Sequence, residues 1–143
     1  MATVNIYLTF NGNCEEAFLF YQSVFDKAFT YIGRFKDMPQ NDECEVNPED
    51  ADKIMHVCLP ISTETMLMGS DTNEFSGAVT AGTNFAVSIN TDSKEEAETL
   101  FEKLSVGGKV TMGLQKTFWG AWFGQFTDKF GIQWMVNFDE EPS

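Results

Sequence analysis

The stretch Val4-Asn5-Ile6-Tyr7-Leu8-Thr9-Phe10-Asn11-Gly12-Asn13-Cys14-Glu15-Glu16-Ala17-Phe18-Leu19-Phe20-Tyr21 decides how this chain is read. Val4, Ile6, Leu8 and Phe10 alternate with Asn5, Tyr7 and Thr9, the period of a half-buried strand. Asn11-Gly12-Asn13 interrupts the alternation. Asn13 has the side chain of a helix N-cap, Glu15 and Glu16 suit the positive end of a helix dipole, and Ala17, Phe18, Phe20, Tyr21, Val24 and Phe25 follow at helical spacing. A strand running straight into a helix, from Asn13 to about Lys27, is predicted.

Outward from there, Phe29 to Phe35 reads as a strand. Asp37 to Asp52, with Pro39, Pro48, Asn41 and Asn47 among its acids, reads as an exposed, solvated loop. Lys53 to Ile61 and Thr65 to Gly69 read as two strands joined by a turn. The order then restarts: Phe85 to Ile89 alternates as a strand, and Asp92-Ser93 caps a helix with Ala97, Leu100, Phe101 and Leu104 inward. Lys109 to Leu114, Gly120 to Phe126 and Ile132 to Phe138 complete the series. Both halves read strand, helix, strand, strand, strand. Residues 1–72 are expected as the first βαβββ module, 73–82 as a linker and 83–143 as the second module, within a single α+β domain. One helix covers only one face of a four-stranded sheet, so two such units are expected to curl their sheets around a shared cavity.

The 143 residues carry 22 Asp and Glu against 9 Lys and Arg, a formal charge of −13. Such a surface repels phosphate backbones and anionic lipid, so neither a nucleic-acid nor a membrane partner is expected. With 43% hydrophobic residues, enough apolar surface is present to offset the entropy of folding. Cys14, Cys44 and Cys58 are odd in number and widely spaced, which fits reduced thiols serving as small hydrophobes. The opening residues lack a basic region followed by an apolar run, and no window approaches about 18 uninterrupted apolar residues, so a cytoplasmic location is expected.

On these residues the chain resembles the vicinal oxygen chelate superfamily, the glyoxalase and bleomycin-resistance fold, and within it the PhnB-like group. The resemblance runs along essentially the whole chain. It is carried by Y-L-T-F-N-G-N-C-E-E-A-F-L-F-Y from Tyr7, by I-M-H-V-C-L-P-I from Ile54 with L-M-G-S-D ending at Asp71, and by W-G-A-W-F-G-Q-F-T-D-K-F-G-I-Q-W-M-V-N from Trp119. It implies two βαβββ modules with curled mixed or antiparallel sheets around a cavity, and a homodimer. No single reaction follows, since the superfamily holds isomerases, lyases, ring-cleaving dioxygenases, thiol transferases and non-enzymatic drug binders.

Catalytic members of the superfamily hold a divalent metal with one His or Glu from each of four strands. Laid on that pattern, the ligand positions fall at Asn5, at Met68 or Gly69, at Asn84 and at Met135. Neutral amides and thioethers are weak ligands for zinc, nickel or iron(II), and the neighbours Ile6, Phe85, Gln133, Trp134 and Val136 do not restore the set. No metal ligand and no cofactor are assigned. The group is sometimes labelled a quinone-pathway methyltransferase, but the sequence lacks the glycine-rich strand-turn-helix fingerprint a nucleotide-bearing cofactor needs. A phosphonate pocket wants Arg or Lys, and Arg34 is the single arginine.

His56 is the only histidine, and the PhnB-like group tends to carry a His here. It alternates with Met55 and Val57, so it either points into the cavity, as a general base or to bind an acid group, or sits half-buried against a carbonyl or Asp71. Asp71 either orients His56 or caps a turn. Ser70, Asp71 and His56 make a triad only on paper, because no G-x-S-x-G elbow is present. Cys14 lies at a helix start beside Glu15 and Glu16, which oppose a thiolate. Asn5, Tyr7, His56, Trp122, Gln125, Gln133 and Trp134 are the expected cavity residues, the aromatics stacking an apolar or planar ligand and the amides directing it. The aromatic positions serve equally well as core and interface. A metal-independent small-molecule binder is the leading expectation, beside a superfamily enzyme with a non-standard metal site and a non-catalytic dimeric scaffold.

Overall fold

The strand-to-helix junction at Asn11-Gly12-Asn13 forms, but Asn13 does not cap it. Its side chain makes no capping hydrogen bond. The donors are met instead from far along the chain: Asp71 Oδ1 accepts from the backbone N–H groups of Gly12 at 3.0 Å and Cys14 at 2.8 Å. The propensity of Asn for a cap is thus overridden by a carboxylate, a stronger acceptor, delivered by tertiary structure.

The computed structural model describes residues 2–38, 46–74 and 76–140. It divides into two units, Met1–Thr80 and Ala81–Ser143. The first contains β1 (Ile6–Phe10), α1 (Cys14–Phe25), β2 (Tyr31–Arg34), β3 (Ile54–Pro60) and β4 (Met66–Asp71), with sheet order β1-β4-β3-β2. β1 is parallel to β4 and the other pairs are antiparallel. Val4 stands outside the strand, 95% exposed. Short 3₁₀ turns at Phe35–Asp37 and Pro48–Asp50 bound the acidic loop. Its residues 39–45, with Cys44, lie outside the described residues. In the segment read as a linker, Val79 is fastened to Asn11 by reciprocal hydrogen bonds of 2.9 Å.

α1 covers the face carrying Leu8, Phe10, Val57, Leu59 and Leu67, and Ala17, Phe18 and Tyr21 are fully buried against it. Burying each Leu or Phe contributes about 1.5–3 kcal/mol. Phe18 crosses the sheet above Gly69, where a Cβ would meet its ring at 2.6 Å and the Leu8 carbonyl at 2.7 Å. Only glycine fits there.

The second unit repeats the plan with β5 (Val87–Asn90), α2 (Lys94–Leu104), β6 (Lys109–Lys116), β7 (Ala121–Thr127) and β8 (Gln133–Asp139), in the order β5-β8-β7-β6. β5 is parallel to β8 and the rest are antiparallel. This is an α+β fold of two βαβββ units with mixed sheets. α2 is capped locally, Ser93 Oγ accepting from Glu96 N–H at 3.1 Å. Gly124 lies under the Phe101 ring as Gly69 lies under Phe18. Among the described residues, no helix is long and apolar enough to cross a membrane.

Candidate functional site

Because Val57 faces α1, its neighbour His56 faces the other side of the first sheet. Tyr7 from β1 reaches over β4 to meet it. The two rings stack with centroids 5.8 Å apart and planes at 22°, and Tyr7 Oη lies 3.5 Å from His56 Nδ1. Tyr31, from β2, approaches the same ring at 5.8 Å. The structure therefore brings Tyr7 and His56 together, and adds Tyr31, which sequence reading missed. The signal was Gly33, which pairs with His56 and leaves room for the Tyr31 ring above it. Asn5 precedes β1 and is half-buried.

Asp71 is not part of this group. It is 5% exposed, and both oxygens are taken by backbone donors: Oδ1 by Gly12 and Cys14, Oδ2 by Ile54 N–H at 2.9 Å. It thereby ties the end of β4 to the starts of α1 and β3. Of its two expected roles, orienting His56 is not realised, and capping a turn is, at the junction of β1 and α1. A Ser70–His56–Asp71 triad is excluded as well, since Ser70 and Asp71 project to opposite faces of β4. Burial, and after it the Asp71 and Glu15 carboxylates, push the Cys14 thiol far above its ordinary range. Cys14 is an inert core group.

In the second unit, the expected cavity set separates by face. Trp122 and Trp134 lie on the side covered by α2. Trp134 is 1% exposed and its indole N–H donates to Asp128 Oδ2 at 2.8 Å. The Trp122 ring stacks under Lys94 of α2 at 4.1 Å and donates to Glu140 Oε2. Trp122 is thus corrected from cavity wall to helix-side packing, whereas Trp134, with its indole in the core, still borders the cavity. The reason is parity: Trp122 and Gln125 are three residues apart on one strand and cannot share a face.

Gln125 and Gln133 do come together, on the face away from α2. They line a cavity of about 260 Å³ with Thr83, Phe85, Ala86, Thr111, Phe126, Thr127, Trp134 and Met135. Gln133 Nε2 donates to the carbonyls of Gly82 at 3.1 Å and Phe85 at 2.7 Å, fixing the segment that forms one wall. The Gln125 amide has no hydrogen-bond partner among the described residues. Thr111 and Thr127 were missed because their convergence depends on the β6–β7–β8 register, which sequence periodicity does not set.

The superfamily's metal positions, Asn5, Met68 or Gly69, Asn84 and Met135, offer amide, thioether and glycine. This donor chemistry does not fit a divalent metal of the usual kind. Among the described residues, no three His, Cys, Asp or Glu side chains converge. Arg34 is occupied by a bidentate pair with Glu15 and by the Asp52 carbonyl.

Two βαβββ units with these sheet orders define the class: the glyoxalase, bleomycin-resistance and dioxygenase fold of the vicinal oxygen chelate superfamily. Such a domain from Frankia sp. EAN1pec is similar over 97% of this chain and 98% of its own, with a TM-score of 0.65 at 14% identity, which shows the fold alone. Within that class, the chain belongs to the PhnB-like family described as 3-demethylubiquinone-9 3-methyltransferase, which it matches over residues 2–137. It is 33% identical over 137 residues to protein YjdN of Escherichia coli (strain K12), covering 92% of this chain and 91% of that protein. Among solved structures it is similar to protein PA1353 from Pseudomonas aeruginosa, with 40% identity, a TM-score of 0.85 and coverage of 99% and 100%. A putative 3-demethylubiquinone-9 3-methyltransferase, PhnB protein, from Bacillus cereus aligns with 25% identity, a TM-score of 0.73 and coverage of 96% and 99%.

The family's description names a methyl transfer, whose donor carries a nucleoside. Neither strand-to-helix junction fits such a group. At the first, Gly12 is the single glycine and the leading amides are held by Asp71; at the second, Thr91-Asp92-Ser93 has no glycine and Ser93 caps the helix.

Proposed function

We propose that the chain binds a small, neutral, partly aromatic molecule in the cavity of the second unit, without a metal and without transforming it. The observation that carries this reading is the composition of the wall: three threonines and two glutamines beside Phe85 and Met135, with no titratable side chain. General acid or base catalysis needs an ionisable group within reach of the substrate, and hydrogen-bonding amides and hydroxyls give orientation without proton transfer. At about 260 Å³ the cavity lies just below the range of about 300–1,000 Å³ typical of drug-sized ligands, so the ligand is small. The net charge of −13 disfavours an anion. A homodimer is the assembly that the family resemblance supports.

Benzamide and resorcinol, two neutral aromatic probes, test the reading by amide NMR of the labelled protein. Shifts centred on Thr111, Gln125 and Thr127 are expected, unchanged by a chelator and lost in a Thr111→Val/Gln125→Leu variant. Shifts that appear only after a divalent ion is added, or that survive in the variant, would overturn it.

A further inference from the structure

The open face of the first unit carries a second cluster. β3 and β4 are antiparallel, with Cys58 opposite Met68 and Pro60 opposite Met66. Pleating turns His56, Cys58, Met66 and Met68 to one side of the sheet, away from α1. Cys58 Sγ lies 3.3 Å from Met66 Sδ. Cys58 is 8% exposed and Met66 37%, so the cysteine is shielded and the methionine is the member of the pair on the solvent side. His56 stands two residues before Cys58 on the same strand face, and Tyr7 is its one hydrogen-bond partner among the described residues.

We propose that Cys58, Met66 and His56 form a binding site for a soft monovalent metal ion of the copper(I) type. Thiolate and thioether sulfurs select copper(I) over the harder divalent ions, and imidazole is compatible with it. Two sulfurs 3.3 Å apart both come within a metal–sulfur bond of about 2.3 Å from one ion seated against them. On binding, the Cys58 S–H bond breaks, a sulfur–metal bond forms, and the proton passes to solvent. The His56 ring supplies a third donor, and the exposed Met66 side is the way in. The set is distinct from the superfamily's ligand positions, since neither β3 nor Met66 contributes to those. It is also independent of the second unit's cavity, which belongs to another sheet.

The test is an anaerobic copper(I) titration of the full chain against a chromophoric copper(I) chelator. The wild type is expected to withdraw one equivalent, with a thiolate-to-copper absorption in the near ultraviolet. Met66→Leu preserves apolar volume at a solvent-open position and therefore folds. It is expected to weaken retention at least about tenfold, the scale on which even an outer partner's loss weakens a metal site. Cys58→Ala is expected to abolish the absorption, and Cys44→Ser to change nothing. Wild-type retention by Met66→Leu, or loss of the bound equivalent in Cys44→Ser, would overturn the proposal.

Discussion

The two units share one plan and close it by different means. In the first, a single buried carboxylate, Asp71, holds together three elements, and its bond to Cys14 spans 57 residues of chain. In the second, the comparable buried carboxylate, Asp128, works within a turn: it accepts from Phe130 and Ile132 N–H and from the Trp134 indole, at most 6 residues away. The faces differ in the same sense. The first presents imidazole, phenol and sulfur; the second presents amide and hydroxyl. An identical order of strands and helices therefore does not carry identical chemistry, because the side chains on the open faces are free of the packing that fixes the covered ones.

The largest expected effect separates the two carboxylates. Asp71→Ala leaves three backbone donors without their acceptor, two of them buried bonds, and is expected to cost about 3–5 kcal/mol. Asp128→Ala leaves the buried Trp134 indole and two part-buried turn amides without their acceptor, and is expected to cost about 2–3 kcal/mol. Urea unfolding of both variants checks this, and equal losses would break the contrast between remote and local closure.

A smaller pair sharpens it. Ser93→Ala removes a working cap and is expected to cost about 1 kcal/mol, whereas Asn13→Ala, whose side chain caps nothing, is expected to stay within about 0.5 kcal/mol of the wild type. Thermal melts of the two variants side by side distinguish them.

The smallest effect is pH-dependent and confined to the first unit. A hydrogen bond from Arg34, and then its charge, holds the Glu15 carboxyl below its ordinary value of 4.5. A depressed carboxylate adds stability above its unfolded value, and that stability is lost as pH falls through the folded one. The pair is partly exposed, with side chains 30% and 45% open to solvent that screens it, so the contribution is about 0.5 kcal/mol. Arg34→Gln is expected to melt slightly below wild type at pH 7, the gap closing as pH falls below 4.5 and through the depressed folded value of Glu15. A gap that persists in acid would assign the role of Arg34 to its bond with the Asp52 carbonyl instead.

What sequence could deliver here follows the range of the interaction. The alternation of Val4 to Phe10 and the helical spacing after Asn13 are local, and they placed the elements of both halves and the fold class. The face of each residue along one strand is local too, and the separation of Trp122 from Gln125 was available from their spacing alone. Strand neighbours are not local. That Asp71 sits beside the start of α1, that Cys58 meets Met66, and that Thr111 joins Gln125 and Gln133 all depend on which strands pair and in what register. Tyr7 and His56 were named together as cavity residues, and their stacking across β4 follows from the β1-β4-β3 order.

The Asp71 clamp also sets a clock. As the chain is synthesised, α1 is complete long before the residue that ends its exposed amides has been made, so this helix waits through the whole of β2 and β3 with its first turn held only by water. α2 carries its cap in the residue before it and is able to form as it emerges. The first half of the protein is therefore expected to consolidate in one late, cooperative step when Asp71 arrives, and a nascent chain halted before that residue is expected to remain open to proteases.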